Sequence, residues 1–389
     1  MTWLVLLLAC EPVHVTCERP REDEEASSTR APDGSLPVDT GTAPVDSTPP
    51  AATDTAGVLV DSGTTAVLDD TAQPVVGEVD CGGVGASDTD GFFELVGFDG
   101  RLYAGQFGYG QEHRSMLYRT DPWELTSPGL TGVSESVCAM VEHDGWLYAN
   151  TESSGDIQRS ADGAHWDRVL DGESGTIGCG ITVHDGVLYA VTYDNQDRRG
   201  GLVRRSEDGV QWTTVYDSGD EALYLREIVS HRGEVHAFAT DEATGQGWWL
   251  RSVDGFGWSR TPTPSRFFRA YDDGDTLWVG SSSRTSTGVA GVWRIDDGQT
   301  PQLVHETHQA YVTRITRWRG ALWAGTSAGW KDDQGPADLL VSRDEGASWQ
   351  VACTVPETAI WSIATVDDRL YVGTWDYGGT GALLEVVER

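Results

Sequence analysis

The chain has 389 residues and sets 61 Asp and Glu against 27 Lys and Arg, a formal net charge of −34. That balance excludes a nucleic-acid partner, which needs clustered cations, and simple adsorption to an anionic membrane surface. Forty-seven Gly, 16 Trp and the absence of long Ala/Leu/Glu/Lys helical patterns point to an all-β chain of short strands and tight turns.

The first ten residues, MTWLVLLLAC, form an apolar run that ends at Cys10. This resembles the leader of a bacterial lipoprotein, in which an LLAC box is cut before a cysteine that then receives lipid. The resemblance implies export, lipidation at Cys10 and residence in the cell envelope, at the outer membrane or cell surface or in the periplasm. The plainer alternative is a general export signal. No stretch approaches the ~20 apolar residues of a spanning helix, so membrane contact is expected through the lipid anchor only.

Residues 11–72 are rich in Pro, Thr, Ser and Asp and lack aromatic residues. Such a segment cannot bury enough apolar surface to offset its ordering entropy, and Pro with like charges keeps it extended. It reads as a disordered tether.

From residue 73 to 389 a tight turn followed by an apolar–aromatic pair recurs: DGRLYAG at Asp99, DGWLYAN at Asp144, DGVLYAV at Asp185, RGEVHAF at Arg232, DGDTLWVG at Asp273, RGALWAG at Arg319 and DDRLYVG at Asp367. The markers Leu102, Leu147, Leu188, Val235, Leu277, Leu322 and Leu370 are spaced by 45, 41, 47, 42, 45 and 48 residues. A period in this range marks a four-stranded propeller blade, and seven copies predict a seven-bladed β-propeller of four-stranded antiparallel blades. Only 19 residues follow Leu370, too few for a full last blade. The β-like run Ala72–Cys81 is therefore expected to supply the missing outer strand, so that an N-terminal strand closes the ring in the last blade.

A second turn repeats as SADGAHW at Ser160, SEDGVQW at Ser206, SVDGFGW at Ser252 and SRDEGASW at Ser342. Ser342, Asp344, Gly346 and Trp349 fit the pattern S-x-D-x-G-x-x-W in full, and the other copies are one residue shorter. The pattern resembles the Asp-box (BNR) propellers of sialidases, sortilin-type receptors and many bacterial surface proteins. An Asp in such a turn accepts backbone N–H bonds, Gly takes a left-handed conformation and Trp packs on the neighbouring sheet. Asp162, Asp208, Asp254 and Asp344 therefore read as structural turn staples, not catalytic carboxylates.

Both short turns fall on one face, so function is expected on the opposite, long-loop face. Its candidates are Phe107, Tyr109, His113, Tyr193, Asp194, Trp330, Trp375, Asp376 and Tyr377, aromatics and charges suited to sugar or peptide. At the channel mouth, the position eight residues before each marker holds Glu94, Glu227, Arg269 and Arg314; one position earlier stand Arg226 and Trp361. Two readings are open there. The arginines can grip a small anionic or sugar-like ligand, or they can form inter-blade salt bridges with the two acids.

The sialidase resemblance implies an arginine cluster on a carboxylate with a Tyr–Glu pair for the chemistry. Sialidases have six blades, and the early Arg-Ile-Pro signature is missing, so no catalytic residue is assigned, although Tyr224 stands near Glu227 in sequence. His143, His184 and His231 recur before a turn and read as turn packing. No Cys/His spacing suits zinc, and no metal or cofactor is expected.

Cys138 and Cys179 occupy equivalent positions in adjacent blades and form one candidate disulfide; Cys81 and Cys353, near the ends of neighbouring outer strands, form another, with Cys17 left in the tether. The sequence thus points to a non-catalytic, lipid-anchored extracytoplasmic propeller, monomeric, that binds a carbohydrate, peptide or protein ligand on its long-loop face. The alternatives are a sialidase-like glycoside hydrolase and an envelope assembly or scaffold factor.

Overall fold

The computed structural model describes residues 79–87, 89–108, 117–120, 123–125, 136–152, 154–172, 175–194, 200–283, 290–296, 300–329 and 335–389. The chain divides into Met1–Asp69 and Asp70–Arg389. The leader, the tether, Cys10 and Cys17 lie outside the described residues, as do residues 72–78 of the anticipated closing strand.

Every regular element among the described residues is a β-strand, and the strands pair antiparallel in consecutive fours. Thr176–His184, Val187–Asp194, Gly201–Ser206 and Thr213–Asp217 make one such sheet. The same order recurs over residues 91–125, 137–170, 223–262, 266–306 and 311–355. Residues 359–388 contribute three strands, and Val79–Ala86 lies antiparallel on the last of them. Val79 stands opposite Glu388, Cys81 opposite Val386 and Ala86 opposite Ala382. The strand on this edge thus runs further along the chain than the Ala72–Cys81 run suggested.

Each tight turn follows from local chemistry. Asp144 and Gly145 have φ of 49° and 74°, and Asp99–Gly100, Asp185–Gly186, Arg232–Gly233 and Arg319–Gly320 repeat the pair of positive values. That is the two-residue turn whose twist matches the flanking strands, and Gly relieves its strain at the second position.

The Ser–Asp–Gly–Trp turns are held as staples. Asp208 Oδ1 accepts the N–H groups of Val210 at 2.8 Å and Gln211 at 2.7 Å. Asp162, Asp254 and Asp344 accept equivalent N–H groups, and in all four turns the Ser hydroxyl donates to the Asp carboxylate. These bonds favour the ionised form, so each carboxyl sits below its ordinary value; for Asp162 the hydrogen bond from the His165 ring is the largest cause.

The core is a series of apolar layers, each between two successive sheets. Tyr189, Val191 and Val203 of one sheet meet Leu225, Ile228 and Leu250 of the next. Phe92, Leu95 and Leu102 of the 91–125 sheet meet Tyr371 and Leu383 of the 359–388 sheet. The turn tryptophans Trp166, Trp212, Trp258 and Trp349 each pack against one of these layers.

The cysteines pair differently from the first candidate. Cys81 is bonded to Cys353, Cα atoms 6.6 Å apart, which joins the Val79–Ala86 strand to the outermost strand of the 311–355 sheet. Cys138 and Cys179 are instead buried free thiols. Their equivalent places in adjacent sheets set the side chains side by side, not toward each other, so the expected bond is not made.

Candidate functional site

The first strand of every sheet carries a register shift at the same place. Pairing jumps from Phe92 to Glu94, Val137 to Ala139, Gly178 to Gly180, Leu225 to Glu227, Phe267 to Arg269, Val312 to Arg314 and Ile360 to Ser362. Each skipped residue is a β-bulge: Phe93, Cys138, Cys179, Arg226, Phe268, Thr313 and Trp361. A bulge inserts an unpaired residue, bends its strand and re-aims a side chain. Six of the seven line one cavity of about 460 Å³. Thr313 is turned away, its hydroxyl donating to the Ile360 carbonyl.

The cavity lies where first strands begin and second strands end, opposite the short turns. One wall is aromatic. Phe93 stacks on Phe107 with centroids 4.0 Å apart and on Trp361 at 4.6 Å, and Phe268 meets Trp361 edge-on at 5.6 Å. Tyr193 and Tyr224 stack at 4.3 Å on another side. The Arg226 guanidinium lies 5.2 Å and 5.5 Å from these two ring centroids, and its N–H donates to the Tyr193 hydroxyl at 3.3 Å. Glu242 stands 3.6 Å from Arg226 and is held at 2.8 Å by Arg266.

The residues just after the bulges carry the other charges, and these pair among themselves. Arg269 meets Glu227 at 3.2 Å, with their side chains 6% and 8% exposed, and donates to the Cys179 carbonyl at 2.8 Å. Arg314 pairs with Glu94. Burial pushes the Glu94 carboxyl above its ordinary value, while Arg314 and Arg269 oppose that shift. Burial also raises both thiols, Cys179 to about 11, so neither is a thiolate nucleophile at neutral pH.

Tyr193, Arg226, Arg269 and Trp361 therefore come together with the two thiols around one cavity. Glu94, Glu227 and Arg314 are locked in ion pairs and do not line it. Trp375 is fully buried, 6.0 Å from Trp361, and Asp376 accepts the Thr358 hydroxyl at 2.7 Å. Tyr109, Trp330 and His113 lie outside the described residues. Sequence reasoning missed Ile177, Arg266 and Tyr311, which line the cavity with Tyr224. All four stand eleven residues before their markers, a column that the same alignment of repeats contains. Glu152 and Glu242, just past second strands, carried no signal of this kind. Among the described residues, no cluster of three His, Cys, Asp or Glu is placed to hold a metal.

No family model and no curated protein matches the chain. Solved structures do. A streptogramin B lyase is 10% identical with a TM-score of 0.58, over 80% of this chain and 97% of that one. YCF48 from Cyanidioschyzon merolae is 13% identical with a TM-score of 0.53, over 79% and 98%. A GH74 xyloglucanase from Xanthomonas campestris is 13% identical with a TM-score of 0.53, over 78% of this chain and 53% of that one. At such identities the likeness shows the fold, a β-propeller, and nothing of the chemistry.

Proposed function

We propose that residues 73–389 form a seven-bladed propeller of the Asp-box type, closed by the Val79–Ala86 strand, and that it is a non-catalytic, extracytoplasmic binding head. The period of the seven markers and the pairing of Val79–Ala86 with Ala382–Glu388 support the architecture. Lipidation at Cys10 and a tether over 11–72 would hold the head off a membrane. The ligand, a carbohydrate, peptide or protein segment, sits in the cavity on the long-loop face.

One observation carries this reading. The acids nearest the channel are consumed: Glu227 is bound to Arg269 and Glu94 to Arg314. A hydrolase of two carboxylates needs both groups facing substrate, one as acid and one as base or nucleophile. Two other acids do line the cavity, Glu152 and Glu242, the latter held by Arg266 at 2.8 Å, and they stand beside an aromatic wall and the Arg226 guanidinium, which suit recognition. The test is a glycan and peptide array probed with the full chain, run beside a glycosidase panel. Retention without turnover supports the reading.

The rival is an enzyme. The raised Glu94 carboxyl is the kind of shift a general acid needs, and a lyase and a xyloglucanase share the fold. Turnover that disappears in Glu94→Gln would establish it. Stable co-purification of one envelope protein without glycan or peptide retention would favour a scaffold role instead.

A further inference from the structure

Resting on the reading of this cavity as a ligand site, we infer that its occupant is a flat apolar molecule bearing a single carboxylate, with Arg226 as the anchor for the anion. Arg269 and Arg314 each have a buried acid of their own, Glu227 and Glu94. Arg226 does not. Its nearest carboxylate, Glu242, is 3.6 Å away and is drawn to Arg266 at 2.8 Å. Among the described residues no carboxylate comes within hydrogen-bond distance of Arg226, whereas Arg266 holds Glu242 directly.

The rings around Arg226 fix it without neutralising it. Tyr193, Tyr224 and Phe268 have centroids 5.2, 5.5 and 6.0 Å from the guanidinium carbon. Aromatic faces attract a cation and set its orientation, but they accept few of its N–H groups. The Arg226 side chain is 28% exposed, enough to meet a ligand and too little to be fully hydrated. A planar fork held in this way is organised in advance for a carboxylate, which it can bind through two parallel N–H bonds.

The rest of the cavity sets the body and the number of charges. The wall built from Phe93, Phe268 and Trp361 offers rings, and the two thiols are neutral. These rings give a flat aromatic body faces to stack on beside the Arg226 guanidinium. Glu152 and Glu242 also line the cavity, so a second negative charge on the ligand would meet repulsion at short range. The volume of about 460 Å³ suits a small molecule rather than a folded partner.

The experiment titrates the full chain with naphthalene-2-carboxylate, naphthalene-2-carboxamide and cellobiose by calorimetry. The carboxylate is expected to bind, and the carboxamide to bind roughly tenfold or more weakly, because it forfeits charge-assisted bonds. Arg226→Gln should weaken the carboxylate by a similar factor and leave the carboxamide unchanged; Arg226→Lys, which keeps charge but not the fork, should fall between. Circular dichroism and thermal melting check that both variants are folded. The inference is overturned if carboxylate and carboxamide bind alike, if cellobiose binds more tightly than the carboxylate, or if the carboxylate does not bind. Array retention that survives Arg226→Gln would sink this inference and leave the binding-head reading in place. Loss of every array ligand in the unmodified chain would sink the binding head itself.

Discussion

Gly255 lies directly against the hydroxyl of Tyr189: a Cβ built on this glycine would sit 2.1 Å from that oxygen. The two residues belong to the two kinds of repeat. Gly255 is in a Ser–Asp–Gly–Trp turn and Tyr189 is the aromatic of an apolar–aromatic pair in the preceding sheet. The same interlock joins Gly163 to Tyr103, Gly209 to Tyr148 and Gly346 to Trp278. Each sheet thus seats its turn on the aromatic of the sheet before it, which explains why both motifs recur with one period. Gly255→Ala is expected to destabilise the fold by roughly 1–3 kcal/mol, from the strain of a side chain at positive φ together with overpacking. Removing the opposing hydroxyl in Gly255→Ala/Tyr189→Phe should recover part of the loss in a urea melt. A glycine tolerant of alanine here would break the interlock as an explanation.

The disulfide makes a second test. Cys81 and Cys353 are 272 residues apart in sequence, so their bond removes much entropy from the unfolded chain. The bond also pins Val79–Ala86, a strand further fixed by the Asp80–Arg389 ion pair at 2.7 Å. The double variant Cys81→Ser/Cys353→Ser should lose up to about 5 kcal/mol, and the unmodified chain should lose the same amount under reducing conditions. Hydrogen exchange should show the loss first at residues 79–86 and 382–388. Uniform loosening of all sheets would contradict this placement of the clasp.

The part of this architecture written in the sequence is the part that repeats. Leu102, Tyr103 and their six counterparts share a period because every sheet needs the same turn and the same inward aromatic. The ring of bulge residues was also visible as a column, Phe93 through Trp361. What the repeats could not reveal is how unlike residues in different copies meet. Arg314 finds Glu94 across 220 positions, and Cys81 finds Cys353, because the sheets are brought round to one another, and no local pattern encodes that. Cys138 and Cys179 misled for the converse reason: equal places in a repeat give parallel side chains.

His236 provides the pH dependence. Its ring accepts the Trp249 indole N–H on Nδ1 at 3.0 Å, so that nitrogen must be unprotonated, and Nε2 faces the His231 carbonyl at 3.3 Å. Burial is the largest cause of its shift down from 6.5 to about 4, followed by the neighbouring His231, with Arg251 acting the same way and Asp272 against it. The unfolded chain therefore binds this proton more readily than the folded one. The stability contributed by His236 is complete above pH 6.5 and is lost as pH falls through 6.5 toward 4, about 3 kcal/mol in all. Thermal melts from pH 7 to 4 should show this slope, and His236→Gln should flatten it. The turn carboxylates add their own loss only at lower pH, because they are held below their ordinary values. A variant with an unchanged slope over this window would reject the assignment.

The last contrast separates an arginine that holds the fold from one that waits for a ligand. Arg269 is 6% exposed and bound to a glutamate that is 8% exposed. Arg269→Met strands Glu227 as an uncompensated buried charge, and removal of one partner of such a pair costs about 3–5 kcal/mol. Removing the stranded acid as well, in Arg269→Met/Glu227→Leu, should recover most of the deficit. Arg226 strands no buried acid: Glu242 is 31% exposed and keeps its 2.8 Å contact with Arg266. Arg226→Gln should therefore lower stability by less than about 1 kcal/mol. Chemical denaturation of the two single variants under identical conditions decides the matter. Equal, large losses would mean that Arg226 is as structural as Arg269 and that the cavity lacks its anchor. A large loss for Arg269→Met beside a small one for Arg226→Gln would place the two arginines in the separate roles that their partners indicate.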